Sequence, residues 1–192
     1  PPVTIVQFTD IHHFPHGCAS FDRTAEKGRV VPIPGGFGTT PGGYSTGRSL
    51  ETMAEILARV QPDLVVLTGD IIDGRVVASP PSGDVPAWRA PFLEVLRPIV
   101  AAGLPWTFVP GNHDDDGAPW TREDLLGVFQ LGDAAPKCVS EGARSFSHTL
   151  TVGPTPSGAH PSSVRLWLLD SGGNNLEDPS KRYETFSAAT VA

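Results

Sequence analysis

Residues 64–74 read LVVLTGDIIDG, and this stretch decides the fold. Leu64 to Thr68 reads as a strand candidate, a continuous apolar run closed by Thr68, as in a strand covered on both faces rather than wet on one. It breaks at Gly69 into a cluster holding Asp70 and Asp73. On its amino-terminal side, Leu50, Met53, Ala54, Leu57 and Val60 recur at helical spacing, with Ser49 placed to cap the start and Gln61-Pro62 to end the helix. Further out, Val3 to Thr9 is a second strand candidate, which completes a β-α-β unit. On the carboxyl-terminal side, Trp88, Phe92, Val95, Leu96 and Ile99 mark another helical face, stopped by Gly103; Pro91 and Pro98 make this helix bent or short. Trp106 to Val109 follows as a third strand. Ala143 to Val152 and Ser163 to Asp170 read as two more strands in a meander. Crossovers first and hairpin-like pairing last outline a layered α/β domain with a mixed sheet.

The chain has 192 residues, 39% of them hydrophobic, enough for one domain spanning 1–192 and too few for two large ones. Its 14 basic and 21 acidic side chains leave a net charge of -7, with no Lys/Arg cluster. Nucleic acid is therefore not an expected partner, because backbone-phosphate affinity needs clustered cations. No run approaches the about eighteen apolar residues of a membrane span, and the amino terminus shows no leader pattern, so a soluble molecule with no membrane partner is expected. Pro1 and the unpatterned tail after Tyr183 suggest that both ends are cut. Cys18 and Cys138 leave the compartment open. The 21 glycines and 20 prolines imply many turns and long connections. The longest, His13 to Gly47, contains PIPGGFGTTPGG and is either a loop over a site or a poorly ordered insertion.

Each of the first three strands ends in polar residues: Asp10 and His12; Asp70 and Asp73; Asn112, His113 and Asp114. In a parallel sheet the carboxyl ends share one edge, so these residues are expected to converge. Carboxylates, imidazoles and an amide without thiolate form a donor set for Mn, Fe or Zn. Asp10 and His12 stand two apart, which puts both on one side of an extended strand end. The glycines before Asp70 and Asn112 permit tight strand-to-loop turns.

The ordered trio D-x-H, G-D-x-x-D and G-N-H-D resembles the calcineurin-like metallophosphoesterase superfamily. Within it, PDLVVLTGD, PWTFVPGNHDDD and LWLLDSGG are most similar to the purple acid phosphatase 29-like branch, and the resemblance spans Val3 to about Gly173. It implies a four-layer α/β/β/α sandwich with mixed sheets, incomplete at the carboxyl terminus. It implies two divalent or mixed-valence metal ions (Mn, Fe or Zn) and a small phosphate-ester substrate. By the same resemblance Asp10 and His12 bind the first metal, Asp70 bridges both, Asn112 binds the second, and His113 acts on substrate. Asp114 would orient the His113 imidazole, and Asp73 would stand behind the ligands. Two departures matter. Asp73 stands where true purple acid phosphatases have their iron-binding tyrosine, so no tyrosinate-to-iron colour is expected. The family's later histidine and G-H-x-H ligands have no counterpart, since only His148 and His160 follow His113 and neither sits in that context. The second metal keeps two protein ligands, so weak or absent turnover is expected. A catalytically deficient relative that binds metal or a phosphorylated partner is the alternative.

The remaining polar and aromatic residues have simpler expectations. His13 and His16 read as exposed loop histidines, Asp115 and Asp116 as a solvated acidic run, and Asp170 as a turn or hydrogen-bonding residue. Trp88 and Phe92 fit a packed helix face, while Trp120 and Arg122 fit a surface loop. Arg48 suits a helix start or a phosphate contact. No Ser-His-Asp arrangement of motif quality, G-x-S-x-G or phosphate loop occurs.

Overall fold

The apolar run of residues 64–68 becomes the middle strand of a parallel sheet. The computed structural model describes residues 3–13, 20–21, 30–31, 46–74, 86–116, 120–153, 163–174 and 183–185. In chain order the elements are β1 (Ile5–Phe8), β2 (Ser20–Phe21), β3 (Val30–Val31), α1 (Thr46–Val60), β4 (Leu64–Thr68), α2 (Arg89–Ala101), β5 (Trp106–Val109), β6 (His148–Val152) and β7 (Val164–Leu168). The strands β1, β4 and β5 lie side by side in that order, both pairs parallel, with Phe8 opposite Leu67 and Thr68 opposite Val109. The β-α-β unit expected around residues 64–68 is present, and α2 makes the second crossover. β2 and β3 form a two-residue antiparallel pair inside the long connection, whose glycine-rich stretch, like His16, Cys18 and His160, lies outside the described residues.

Period-two geometry sorts β4 into two cores. Val65 and Leu67 join Leu50, Met53 and Leu57 of α1 and Phe92, Val95, Leu96 and Ile99 of α2. Leu64 and Val66 turn to the opposite face and pack with Val109, Leu150, Val152, Leu166 and Leu168. That second face is covered by β6 and β7, which pair antiparallel with His148 opposite Leu168. The layers are thus helices, parallel sheet and antiparallel pair, a mixed α/β sandwich; a second helical layer has no counterpart among the described residues.

Several boundaries differ from the sequence expectation for local reasons. α1 begins at Thr46, so Ser49 lies inside the helix rather than at its cap. Its buried stripe is Leu50, Met53 and Leu57, while Ala54 and Val60 are exposed. The helix does stop as expected, with Gln61 in the left-handed region at φ 48 and its N–H donating to Leu57 O at 2.9 Å. Residues 143–147 precede rather than extend β6. Two 3-10 segments, Asp124–Gln130 and Gly132–Ala134, carry no periodic signal in the sequence but bury Leu125, Val128 and Phe129 against the helical core. Among the described residues no helix is long and apolar enough to cross a membrane.

Candidate metal centre

Parallel pairing carries all three polar clusters to one rim, with that of β4 in the middle. The geometry at the rim differs from an extended strand end. Asp10 (φ 55), His12 (φ 47) and Asp70 (φ 51) all occupy the left-handed region, which non-glycine residues enter at a cost of about 1–3 kcal/mol each. The kinks are held by main-chain bonds between the loops: Asp10 N–H to Gly69 O at 3.0 Å, His12 N–H to Asp70 O at 2.8 Å and His13 N–H to Ile71 O at 2.9 Å. Asp10 and His12 therefore come together through two backward kinks rather than through strand alternation. Ile11 between them packs on the core.

One ligand atom from each of Asp10, His12 and Asp70 falls within 4.8 Å of the others. His12 Nε2 is 3.9 Å from Asp10 Oδ1 and 3.8 Å from Asp70 Oδ2. An ion at ~2.0–2.2 Å from each donor needs donors about 3.0–3.4 Å apart, so His12 Nε2 would have to close on each carboxylate by about 0.4–0.9 Å to hold a divalent cation. The other ring nitrogen, His12 Nδ1, lies 3.7 Å from Asp73 Oδ2. A carboxylate behind one nitrogen frees the other for an ion, an arrangement metal-binding histidines use. Asp73, with the charges of Asp70 and Asp10, raises the His12 pKa above its ordinary value against the opposing effect of burial.

The third cluster joins this trio through Asp70. Asp70 Oδ1 accepts the His113 N–H at 2.8 Å, and the His12 and His113 rings lie 5.2 Å apart between centroids. Asp114 is fully buried and takes a different place from the one expected. Its Oδ1 accepts the N–H groups of Ile71 (2.9 Å) and Ile72 (3.0 Å), and its Oδ2 those of Asp70 (2.9 Å) and Gly111 (2.7 Å). It ties the β4 and β5 turns together. Burial pushes its carboxyl up to about 7, against the downward pull of the amides. The carboxylate on the His113 ring is Asp116, with Nδ1–H donating to Oδ2 at 3.1 Å. The i+3 spacing of His113 and Asp116 is the sequence signal that could have revealed this pair.

Other residues also depart from a simple surface assignment. Arg122 is mostly buried and binds Asp170 through Nε and Nη2 (2.7 Å at the shortest), Asp115 at 2.9 Å, and the carbonyls of Pro110, Gly111 and Gly172. Trp120 is buried, and its indole N–H donates to Asp114 O at 2.9 Å. His13 is buried, with Nε2 2.6 Å from Glu94 Oε2 of α2. Asp115 pairs with Arg122 rather than standing in solvent, and Asp170 also accepts Gly172 N–H at 2.9 Å. His148 sits in β6 away from this chemistry; Ser140 Oγ donates to its Nε2 at 2.7 Å and its Nδ1–H donates to Phe146 O at 2.8 Å. Trp88 and Phe92 are core residues, as their spacing indicates.

The chain is similar to several known proteins. The family model for calcineurin-like phosphoesterases matches residues 3–183. An uncharacterized protein of Schizosaccharomyces pombe is 28% identical over 127 residues, 66% of this chain and 21% of that protein. Phosphatase DCR2 of Saccharomyces cerevisiae is 31% identical over 77 residues, 39% of this chain and 12% of its own length. The protein named probable inactive purple acid phosphatase 29 of Arabidopsis thaliana is 24% identical over 128 residues, 62% of this chain and 31% of its own. The chain thus spans at most about a third of these relatives. Among solved structures, a dimetal phosphatase from Danio rerio superposes with a TM-score of 0.49 and 17% identity, covering 93% of this chain and 49% of that one. With the family model matching nearly the whole sequence, the chain belongs to the calcineurin-like phosphoesterase family.

Proposed function

We propose that this domain binds two divalent cations and hydrolyses phosphate monoesters. The observation that supports it most is the meeting of Asp10, His12 and Asp70 donor atoms at the rim, beside His113. Asp10, His12 and Asp70 would hold the first ion; Asp70 and Asn112 would hold the second. Bound there, the ions supply Lewis-acid stabilisation of phosphoryl oxygens and an acidified water as nucleophile. His113 delivers a proton to the departing alkoxide, with Asp116 on Nδ1 fixing the ring and leaving Nε2 for the transfer. Asp114 serves the reaction through the backbone, keeping the turns of Asp70 and His113 in register.

A second reading, metal binding with little turnover, is favoured by the donors around Asn112. His148 is the described histidine that follows His113, and both its ring nitrogens are committed elsewhere. Manganese titration combined with hydrolysis of a chromogenic phosphate monoester distinguishes the two. Two ions and hydrolysis abolished by His113→Ala support the enzyme. One ion without hydrolysis supports the binding domain, and no bound ion contradicts both.

A further inference from the structure

The side chain of Asn112 meets the segment after β7. Its Nδ2–H donates to Asn174 Oδ1 at 3.4 Å, across sixty-two positions of sequence. An asparagine amide has two nearly isosteric ends, and only the oxygen is a useful donor to a hard cation. An acceptor facing the nitrogen selects one of the two rotations. We infer that Asn174 is a positioning residue: it holds the Asn112 amide with Oδ1 directed to the second ion, an inference that rests on the metal-centre reading above.

The segment bearing Asn174 is itself anchored. Arg122 donates to Gly172 O at 3.0 Å and grips Asp170, while Gly173 exchanges bonds with Glu184, its N–H donating to Oε2 at 2.9 Å and its O accepting Glu184 N–H at 3.0 Å. Asn174 also forms a β-bridge with Tyr183. Arg122 reaches the carbonyls of Pro110 and Gly111 as well, the two residues before Asn112. One guanidinium therefore sets the separation of the two asparagines. A partner that orients a ligand through a hydrogen bond is worth roughly 10–100-fold in metal affinity.

The test is manganese binding by calorimetry to the full chain and to Asn174→Leu, Asn174→Asp, Asn112→Asp and the Asn112→Asp/Asn174→Leu double variant. Asn174→Leu is expected to weaken the second ion by about 10–100-fold and leave the first unchanged, and Asn174→Asp, which keeps an acceptor, to restore it. In the Asn112→Asp background either carboxylate oxygen can bind the ion, so adding Asn174→Leu should cost little. An undiminished loss there would overturn the inference, since it would mean that Asn174 is itself a ligand or merely structural. In the metal-free chain, NMR of the Asn112 side-chain amide protons gives an independent reading. They should be protected from solvent exchange in the parent and lose protection in Asn174→Leu; an unchanged exchange rate would also refute the inference. Wild-type chain that binds no ion while the amide remains protected would sink the metal-centre reading instead.

Discussion

Gly69 and Gly111 touch backbone to backbone: a β-carbon on Gly69 would lie 2.5 Å from Gly111 N and 2.6 Å from its Cα. A β-carbon on Gly111 would in turn collide with the Asp70 carboxylate and stand 2.6 Å from Asp70 N. Each β-carbon meets backbone atoms that cannot swing aside, and Gly69 also has φ +92. Gly69→Ala and Gly111→Ala should each lower the free energy of unfolding by about 3 kcal/mol, through overpacking and, for Gly69, left-handed strain. Urea denaturation measures it, and a loss under about half a kilocalorie would contradict the close approach.

Asp114 offers four acceptor sites to four amides, and an amide side chain cannot do so. In Asp114→Asn the NH₂ end would face two N–H donors. At about 1–3 kcal/mol per unsatisfied buried group, this conservative substitution should cost roughly 2–4 kcal/mol, nearly as much as Asp114→Ala. Equal stability of Asn and Asp in chemical denaturation would show that the carboxylate does not bind both turns.

Arg122 uses its whole fork, which lysine cannot reproduce. Arg122→Lys should leave at least one of Asp170 and Asp115 without its partner and destabilise the domain by about 2 kcal/mol, read as a lowered melting temperature. A melting temperature matching the parent would place these contacts outside the folded state in solution.

Cys138 is half-buried, and burial pushes its thiol from 9.0 up to about 11. Only the thiolate alkylates, so in a Cys18→Ser variant the iodoacetamide rate at pH 8 should be about 100-fold below that of an unperturbed thiol. The folded state holds this proton more tightly than the unfolded chain. Its contribution to stability is therefore complete below pH 9 and lost as pH rises toward about 11. A rate matching the denatured protein at pH 8 would refute the shift.

Cations that bind only the folded rim must stabilise it. At free manganese about 100 times its dissociation constant, the unfolding free energy should rise by ~2.7 kcal/mol per site, and a chelator should reverse the gain. Asp70→Asn keeps an acceptor for the His113 N–H but loses the charge, so it should abolish most of this stabilisation while changing metal-free stability little. Persistence of the full gain in Asp70→Asn would remove Asp70 from the ion site.

The helices of the parallel unit and the strands β4 and β5 were legible because their signals are local. Leu50, Met53 and Leu57 repeat at helical spacing, and Leu64 to Leu67 is apolar at every position. Other features had no local sign. Asp115, Trp120 and Arg122 are polar or aromatic residues in a loop; packing of that loop against residues 170–173 encloses Asp115 and Arg122, and Trp120 joins the helical core. The exchange of places between Asp114 and Asp116 is similar: three consecutive carboxylates look alike in sequence, and the turn at Gly111 sends one inward and another to the imidazole.

Sequence by itself determined the order of the α/β crossovers and of the strand pair after them, the two covered faces of β4 and the residue types gathered at the strand ends, because hydrophobic period and glycine placement are properties of the chain. Tertiary structure alone decided which carboxylate serves which partner, the left-handed kinks at Asp10, His12 and Asp70, and the meeting of Asn112 with Asn174. These depend on hydrogen-bond distances between segments tens of residues apart, and such distances exist only once both cores have closed.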